Sequence, residues 1–184
     1  MTTYVALLRG INVGGKNKVP MPKLRSLFER LGHDDIATYL QSGNIVFRSR
    51  STAQEQIIAG IERSISDTFS LDVSVLLRSR LEMEHVAAGN PFDTTGADGK
   101  SLHVMFLGGA PTPGAVKKLD PLRSPPDEFQ VNGREVFLRY PNGSGRSKLT
   151  IDYFERTLGT SATARNWNTV KKVLELMEEG PDRR

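Results

Sequence analysis

The sequence predicts an α+β fold of two ferredoxin-like α/β-plait subdomains with an additional C-terminal helix. Three observations lead there. Short apolar runs of strand length are interleaved with segments whose apolar residues recur every three or four positions. Over residues 1–78 these segments come in the order strand, helix, strand, strand, helix, strand, which is the order of a plait. After a polar, glycine-containing stretch the second half begins a similar series. The expected organisation is a first plait over 1–78, a helix and connecting loop over 79–100, and a second plait with the extra helix over 101–184.

In the first half, Tyr4-Val5-Ala6-Leu7-Leu8 is compact and apolar and reads as a buried strand that ends at Arg9-Gly10. A helix starts near Pro22, with Leu24, Leu27, Phe28 and Leu31 on one face and Gly32 at its C-terminal end. Ile36–Leu40 and Ile45–Phe47 read as strands joined around Gln41-Ser42-Gly43-Asn44. Thr52 and Glu55 have the spacing of a capping box, and Ile57, Ile58, Ile61, Ile65 and Phe69 form the inward stripe of the helix behind them. Val73–Leu77 supplies the fourth strand. The helices would cover one sheet face, and the other face would need water, a ligand or a further layer.

Ser79 and Glu82 suggest a second capping box opening a short helix through Ala88, which Asn90-Pro91 stops. Residues 94–100 are the expected loop. Beyond it, Leu102–Leu107 is a strand and Pro113–Leu119 a short helix. Glu128 to Leu138 is a hairpin turning at Asn132-Gly133, a pair suited to left-handed backbone. Leu149–Leu158 is a helix ended by Gly159, Ala162–Trp167 the closing strand and Thr169–Glu179 the last helix. The halves repeat a fold without a recognisable sequence repeat.

Composition narrows the function classes. The chain has 184 residues, 38% of them apolar and 25% charged, with a net charge of +4, which fits a globular protein and does not by itself select nucleic acid as a partner. Charge is distributed unevenly: residues 1–50 carry eight basic and three acidic side chains, residues 51–96 three and seven. There is no cysteine, which removes disulfides, thiolate nucleophiles and cysteine metal clusters and suits a cytoplasmic location. No secretory signal and no apolar run of membrane-spanning length is expected, so no membrane partner is. His33, His85 and His103 show no metal-ligand spacing, and no nucleophile–base or paired-acid signature stands out.

Four polar segments are candidates for ligand contact. Arg9-Gly10-Ile11-Asn12-Val13-Gly14-Gly15-Lys16-Asn17-Lys18 combines glycines, whose backbone can approach an anion, with three cations; its spacing is neither a dinucleotide fingerprint nor a P-loop. From it Arg9, Asn12, Gly14, Gly15, Lys16 and Lys18 are candidate anion contacts. Gln41, Ser42 and Asn44 could read an amide or a base edge, though turn formation also explains Asn44. Asn142 to Lys148 follows a strand and opens a helix, so free amides there could meet an anion beside Lys148. In Arg165-Asn166-Trp167-Asn168-Thr169, Arg165 could hold an anion and Asn166 orient a ligand. Asn168 is the expected helix cap, and Trp167 is expected to pack rather than stack on a ligand.

Three stretches together resemble a known family: Val5 to Gly15, Thr38-Tyr39-Leu40-Gln41-Ser42-Gly43-Asn44-Ile45-Val46-Phe47, and Thr163-Ala164-Arg165-Asn166-Trp167-Asn168-Thr169-Val170. With Asn90-Pro91-Phe92 and Ser147-Lys148-Leu149-Thr150, they make the chain similar to the domain of unknown function 1697 family over nearly its whole length. The resemblance implies two linked α/β-plait subdomains. It implies no activity, substrate, cofactor or catalytic residue. Ala164 stands where a hydroxyl residue is also familiar in the family, which weakens any role for a hydroxyl there.

The leading expectation is a phosphate-bearing small molecule or nucleotide bound in a cleft between the subdomains by Arg9, the glycine-rich loop, Gln41 and Arg165. Nucleic-acid binding through exposed sheet faces and basic residues is the alternative. A structural or regulatory protein-interaction module is the third. The sequence leaves open the exact ligand, any reaction chemistry and the oligomeric state.

Overall fold

A computed structural model of the chain describes residues 1–95 and 99–179. Residues 96–98 of the expected loop and 180–184 of the expected second subdomain lie outside the described residues. The described residues form two compact units: Met1–Glu84 with 172–179, and His85–Lys171.

The first unit contains β1 (Thr2–Leu8), α1 (Met21–Arg30), β2 (Asp34–Tyr39), β3 (Asn44–Ser49), α2 (Gln54–Phe69) and β4 (Val75–Ser79). Its antiparallel sheet has the order β2-β3-β1-β4. α3 (Arg80–Ala88) follows, and then the second unit's β5 (Leu102–Leu107), α4 (Pro113–Val116), β6 (Glu128–Asn132), β7 (Glu135–Arg139), α5 (Ile151–Leu158) and β8 (Ala162–Asn166). The second sheet is also antiparallel, in the order β6-β7-β5-β8, and α6 (Trp167–Glu179) closes the described chain. The fold is α+β with two ferredoxin-like subdomains, as the element order predicts.

Pleating decides which side chains meet the helices. In the first unit Ala6, Leu8, Ile45 and Phe47 face Leu24, Leu27 and Phe28 of α1 and Ile57, Ile61 and Ile65 of α2. In the second, Met105, Leu107, Val136 and Leu138 pack with Phe154 and Leu158 of α5. The alternate positions are buried too: Val5, Leu7, Val46, Leu76 and Arg78 in one sheet, Val104, Phe106, Phe137, Thr163 and Arg165 in the other. A strand hidden on both faces reads as an unbroken apolar run, which is why Tyr4–Leu8 shows no alternation.

The units share several equivalent bonds. The Leu8 amide donates to the Gly43 carbonyl (2.9 Å) as the Leu107 amide does to that of Arg134 (2.8 Å). The Glu62 carboxylate accepts from the first amide of β4, at Val75 (2.9 Å), and Glu155 from the first amide of β8, at Ala162 (2.8 Å). Val5 opposes Arg78 and Val104 opposes Arg165.

Capping differs from expectation in two places and agrees with it in one. The Thr52–Glu55 box does not form, because α2 begins at Gln54 with Ala53 as N-cap, too late for Thr52 to occupy the capping position. The Ser79–Glu82 box does form: Glu82 Oε2 accepts from the Ser79 amide (2.7 Å) and hydroxyl (2.8 Å), and Ser79 Oγ accepts from the Glu82 amide (3.3 Å). α6 is capped by Asn166 rather than Asn168, since Asn166 Oδ1 accepts from the Thr169 amide (2.9 Å).

Two histidines tie stability to pH. His33 packs against Phe28 and Phe47, and His103 lies edge-on to Tyr140, its buried Nδ1 without a hydrogen-bond partner. Burial lowers the pKa of both below the usual 6.5, with Asp34 partly opposing the shift at His33. Above 6.5 both rings are neutral folded or unfolded. As pH falls below that value the unfolded chain takes up protons that the folded chain resists, so stability drops until the lower folded pKa is passed. Urea melts at about pH 7.5 and 5.5 should show this loss, and His103→Leu should shrink the difference.

Candidate functional site

The glycine-rich segment after β1 is a clasped loop. Both ends are anchored in the core by Ile11 and Val19, each 1% exposed. From Gly10 onward the backbone reverses through left-handed conformations at Gly10, Asn12, Gly14, Gly15 and Asn17. Asn residues tolerate that region because the short amide can bond locally. The Asn12 side chain holds the loop base: its Nδ2 donates to the carbonyls of Val19 (3.0 Å) and Gln41 (2.8 Å), and its Oδ1 accepts from the Val19 amide (2.8 Å). Asn17 Nδ2 donates to the Gly10 carbonyl (3.0 Å), and the Asn12 amide to the Asn17 carbonyl (3.1 Å). At the tip Val13-Gly14-Gly15-Lys16 forms a tight turn closed by the Lys16 amide on the Val13 carbonyl (3.1 Å).

The Asn12–Gln41 bond brings this loop against the turn between β2 and β3. There Leu40 and Gly43 have positive φ, and Asn44, fully buried, donates through Nδ2 to the Tyr39 carbonyl and the Ser42 hydroxyl (3.0 Å each). Thus Arg9, Asn12, Gly14, Gly15, Lys16, Lys18, Gln41, Ser42 and Asn44 belong to two joined loops at one end of the first sheet. The amides of Asn12 and Asn44 serve the loops themselves. Exposed at the tip are Gly14, Gly15, Lys16 and Lys18. Among the described residues the Gly14 and Gly15 amides have no hydrogen-bond acceptor, and Lys16 and Lys18 form no ion pair. No acidic residue occurs between Arg9 and Pro20.

Sequence reasoning read Gly43 as a turn residue but did not single out Ile11, Asn17 or Val19, on which the shape also depends. The two apolar residues bracketing the segment were the available signal, since an apolar pair flanking a polar loop marks its anchors. Gly43 is fixed by space as well as by φ: a Cβ there would lie 2.8 Å from Leu8 Cβ and 2.9 Å from Ile11 Cδ1.

Lys148, Arg165 and Asn166 belong to the second unit. Lys148 is exposed; its amide donates to Ser124 Oγ (3.1 Å) and its carbonyl accepts from Arg123 Nε (3.0 Å). The helix after it starts at Ile151, where Thr150 Oγ1 accepts from the Tyr153 amide (3.2 Å), so that amide is occupied by a cap. Arg165 is 8% exposed and donates through Nη1 to Thr163 Oγ1 and the Ala164 carbonyl (2.8 Å each). Burial lowers its pKa to about 10. Asn166 is the α6 cap described above, and Trp167, buried at 4% exposure, donates its amide to the Gly99 carbonyl (3.1 Å).

The buried alternate faces also bear on nucleic acid. A sheet-face platform stacks bases on exposed side chains, whereas Val5, Leu7, Val46, Val104 and Phe106 are all enclosed. Among the described residues no helix is long and apolar enough to cross a membrane.

Two tandem plaits, with a clasped, cationic loop on the first, define a class of α+β protein whose central strands are buried on both faces. The chain belongs to the family described as protein of unknown function (DUF1697), whose model matches residues 1–137. It is similar to the conserved bacterial protein SP0830 from Streptococcus pneumoniae, with 25% identity and a TM-score of 0.70 over 96% of this chain and 98% of that one. No curated protein matches the chain.

Proposed function

We propose that this protein binds a phosphate-bearing small molecule or nucleotide at the clasped loop of the first unit. The observation that carries the reading is that a fixed turn presents the unengaged amides of Gly14 and Gly15 beside the unpaired Lys16 and Lys18. Adjacent amides of a left-handed turn make a concave anion receptor, and the ammonium groups add charge-assisted donors. Asn12 and Asn17 support the reading by holding the turn before any ligand arrives, which reduces the ordering cost of binding. Arg9 and Gln41 belong to the same two joined loops and would serve a larger phosphorylated molecule. A chain without cysteine accords with work in the cytoplasm.

Titration of the full chain with inorganic phosphate and with adenosine monophosphate, followed by amide NMR, tests this. Saturable shifts at Gly14 to Lys18, with a dissociation constant of about 1 mM or lower, are expected. Asn12→Ala should weaken binding about tenfold by releasing the clasp, and Lys16→Ala with Lys18→Ala by a similar factor. Equal shifts with chloride would overturn the proposal. An oligonucleotide binding far more tightly than the mononucleotide, with steep salt dependence, would replace it by the nucleic-acid reading.

A further inference from the structure

We propose that the second unit carries a separate ligand site, for a small planar-ring molecule bearing an anionic group, in the cleft between the segment after α3 and the end of β7. The cleft has a volume of about 680 Å³, and all of its lining residues lie within the second unit. That volume is within the range of small-molecule sites, about 300–1,000 Å³.

Its floor is built before a ligand arrives. Tyr140 and Leu102 are buried there; the Tyr140 amide donates to the Ser101 carbonyl (2.7 Å) and its hydroxyl to the Leu149 carbonyl (3.1 Å). The Tyr140 ring meets His103 edge-on with centroids 5.1 Å apart. Burial raises the phenol's pKa far above neutrality, so the floor stays uncharged. The Gly143 amide donates to the Tyr140 carbonyl (3.0 Å) and fixes the next turn of chain.

The walls are rings. Pro91 and Pro141 are exposed and Phe92 is half-buried, held by its amide on Asn90 Oδ1 (3.0 Å). Rigid rings present apolar area at little entropic cost, which suits a flat ligand. Lys100 and Arg139 bring cationic groups to the same lining, Arg139 also pairing with Glu128. Among the described lining residues Asp93 is the one acid, and the Thr95 hydroxyl (2.6 Å) and amide (2.8 Å) donate to its Oδ1, holding its carboxyl below the usual range. A ligand with a ring for Phe92, an anion for Lys100 and Arg139, and an N–H or O–H donor for Asp93 satisfies all three features. A nucleoside monophosphate and an aromatic amino acid share that chemistry.

The test titrates the full chain separately with adenosine monophosphate and with phenylalanine, reading amide shifts at 91–95, 99–102 and 139–143. Saturation by either probe is expected, and which one saturates identifies the source. Phe92→Ala should weaken that binding about tenfold and Lys100→Ala about threefold or more, while the Lys16→Ala, Lys18→Ala double variant leaves it unchanged. Because Phe92 and Lys100 are at most half-buried, both variants should fold, which a thermal melt verifies. No saturation by either probe up to about 10 mM, or affinity indifferent to Phe92→Ala, overturns the proposal. Shifts at Gly14 to Lys18 report on the first-unit loop separately, so either site can fail alone.

Discussion

Gly43→Ala should destabilise the first unit by roughly 2–5 kcal/mol. Two costs add. The backbone at Gly43 has φ +75°, where a Cβ is penalised by about 1–2 kcal/mol. The new methyl would also stand 2.8 Å from Leu8 Cβ and 2.9 Å from Ile11 Cδ1, and overpacking of a filled core typically costs about 1–3 kcal/mol. Leu8 cannot give way easily, because its amide is bonded to the Gly43 carbonyl at 2.9 Å. Ile11 can move only by lifting the loop base that Asn12 clasps. Urea unfolding of the full chain should therefore show an earlier first transition, and phosphate-induced shifts at the Gly14–Lys18 tip should weaken in parallel. Gly60→Ala, on α2 with open space around the position, is the control: there a methyl meets nothing within 4 Å and should be neutral or stabilising. If Gly43→Ala unfolded like the unsubstituted chain, the packing account of the loop would be wrong.

The same region shows how far the sequence could be read. Apolar spacing located α1 and α2, because Leu24, Leu27 and Phe28, or Ile57, Ile61 and Ile65, can share a face only in a helix. Strand limits slipped by up to two residues at β4, since Val73 is core-packed yet precedes the first ladder pair. The two capping boxes have identical spacing, and only the one at Ser79 forms, because the chain direction that decides where α2 starts is set by packing outside the motif. Asn12 and Gln41 were both visible as polar residues near glycine. That Asn12 spends its amide on the Gln41 carbonyl, 29 residues away, is a tertiary fact with no local trace. The cleft beside Tyr140 was hidden for the same reason: Arg139 is distant in the chain from the segment carrying Phe92 and Lys100, and each is unremarkable singly.

Register was the deepest omission, and it changes how two arginines are understood. Arg78 and Arg165 show no similarity of neighbours, with Leu77-Arg78-Ser79 against Ala164-Arg165-Asn166. The ladders nevertheless place each opposite a valine of the central strand, one residue before a helix cap. In each, Nη1 donates to the carbonyl of the preceding residue, Leu77 (2.9 Å) or Ala164 (2.8 Å). A guanidinium has five donors and no acceptor, so turning one back on its own strand satisfies a carbonyl at an edge strand while keeping the charge fixed.

From that placement Arg165→Ala should cost about 3–5 kcal/mol, whereas Arg165→Met should recover most of the loss. Alanine leaves a void beside Val104 and strips Thr163 Oγ1 and the Ala164 carbonyl of a donor. Methionine fills the void, and it also removes a charge whose desolvation in the folded state is what lowers the pKa to about 10. The sign follows from linkage: a base whose folded pKa lies below its ordinary value holds its proton more weakly in the folded chain, so the cation opposes folding at neutral pH and a neutral replacement of equal bulk does not. Thermal melts of the two variants at neutral pH measure the contrast. Ligand titration of Arg165→Met then separates two roles that the sequence alone could not. Retained binding makes Arg165 a structural cation, and loss of binding from a folded protein with a normal melt makes it part of a ligand site.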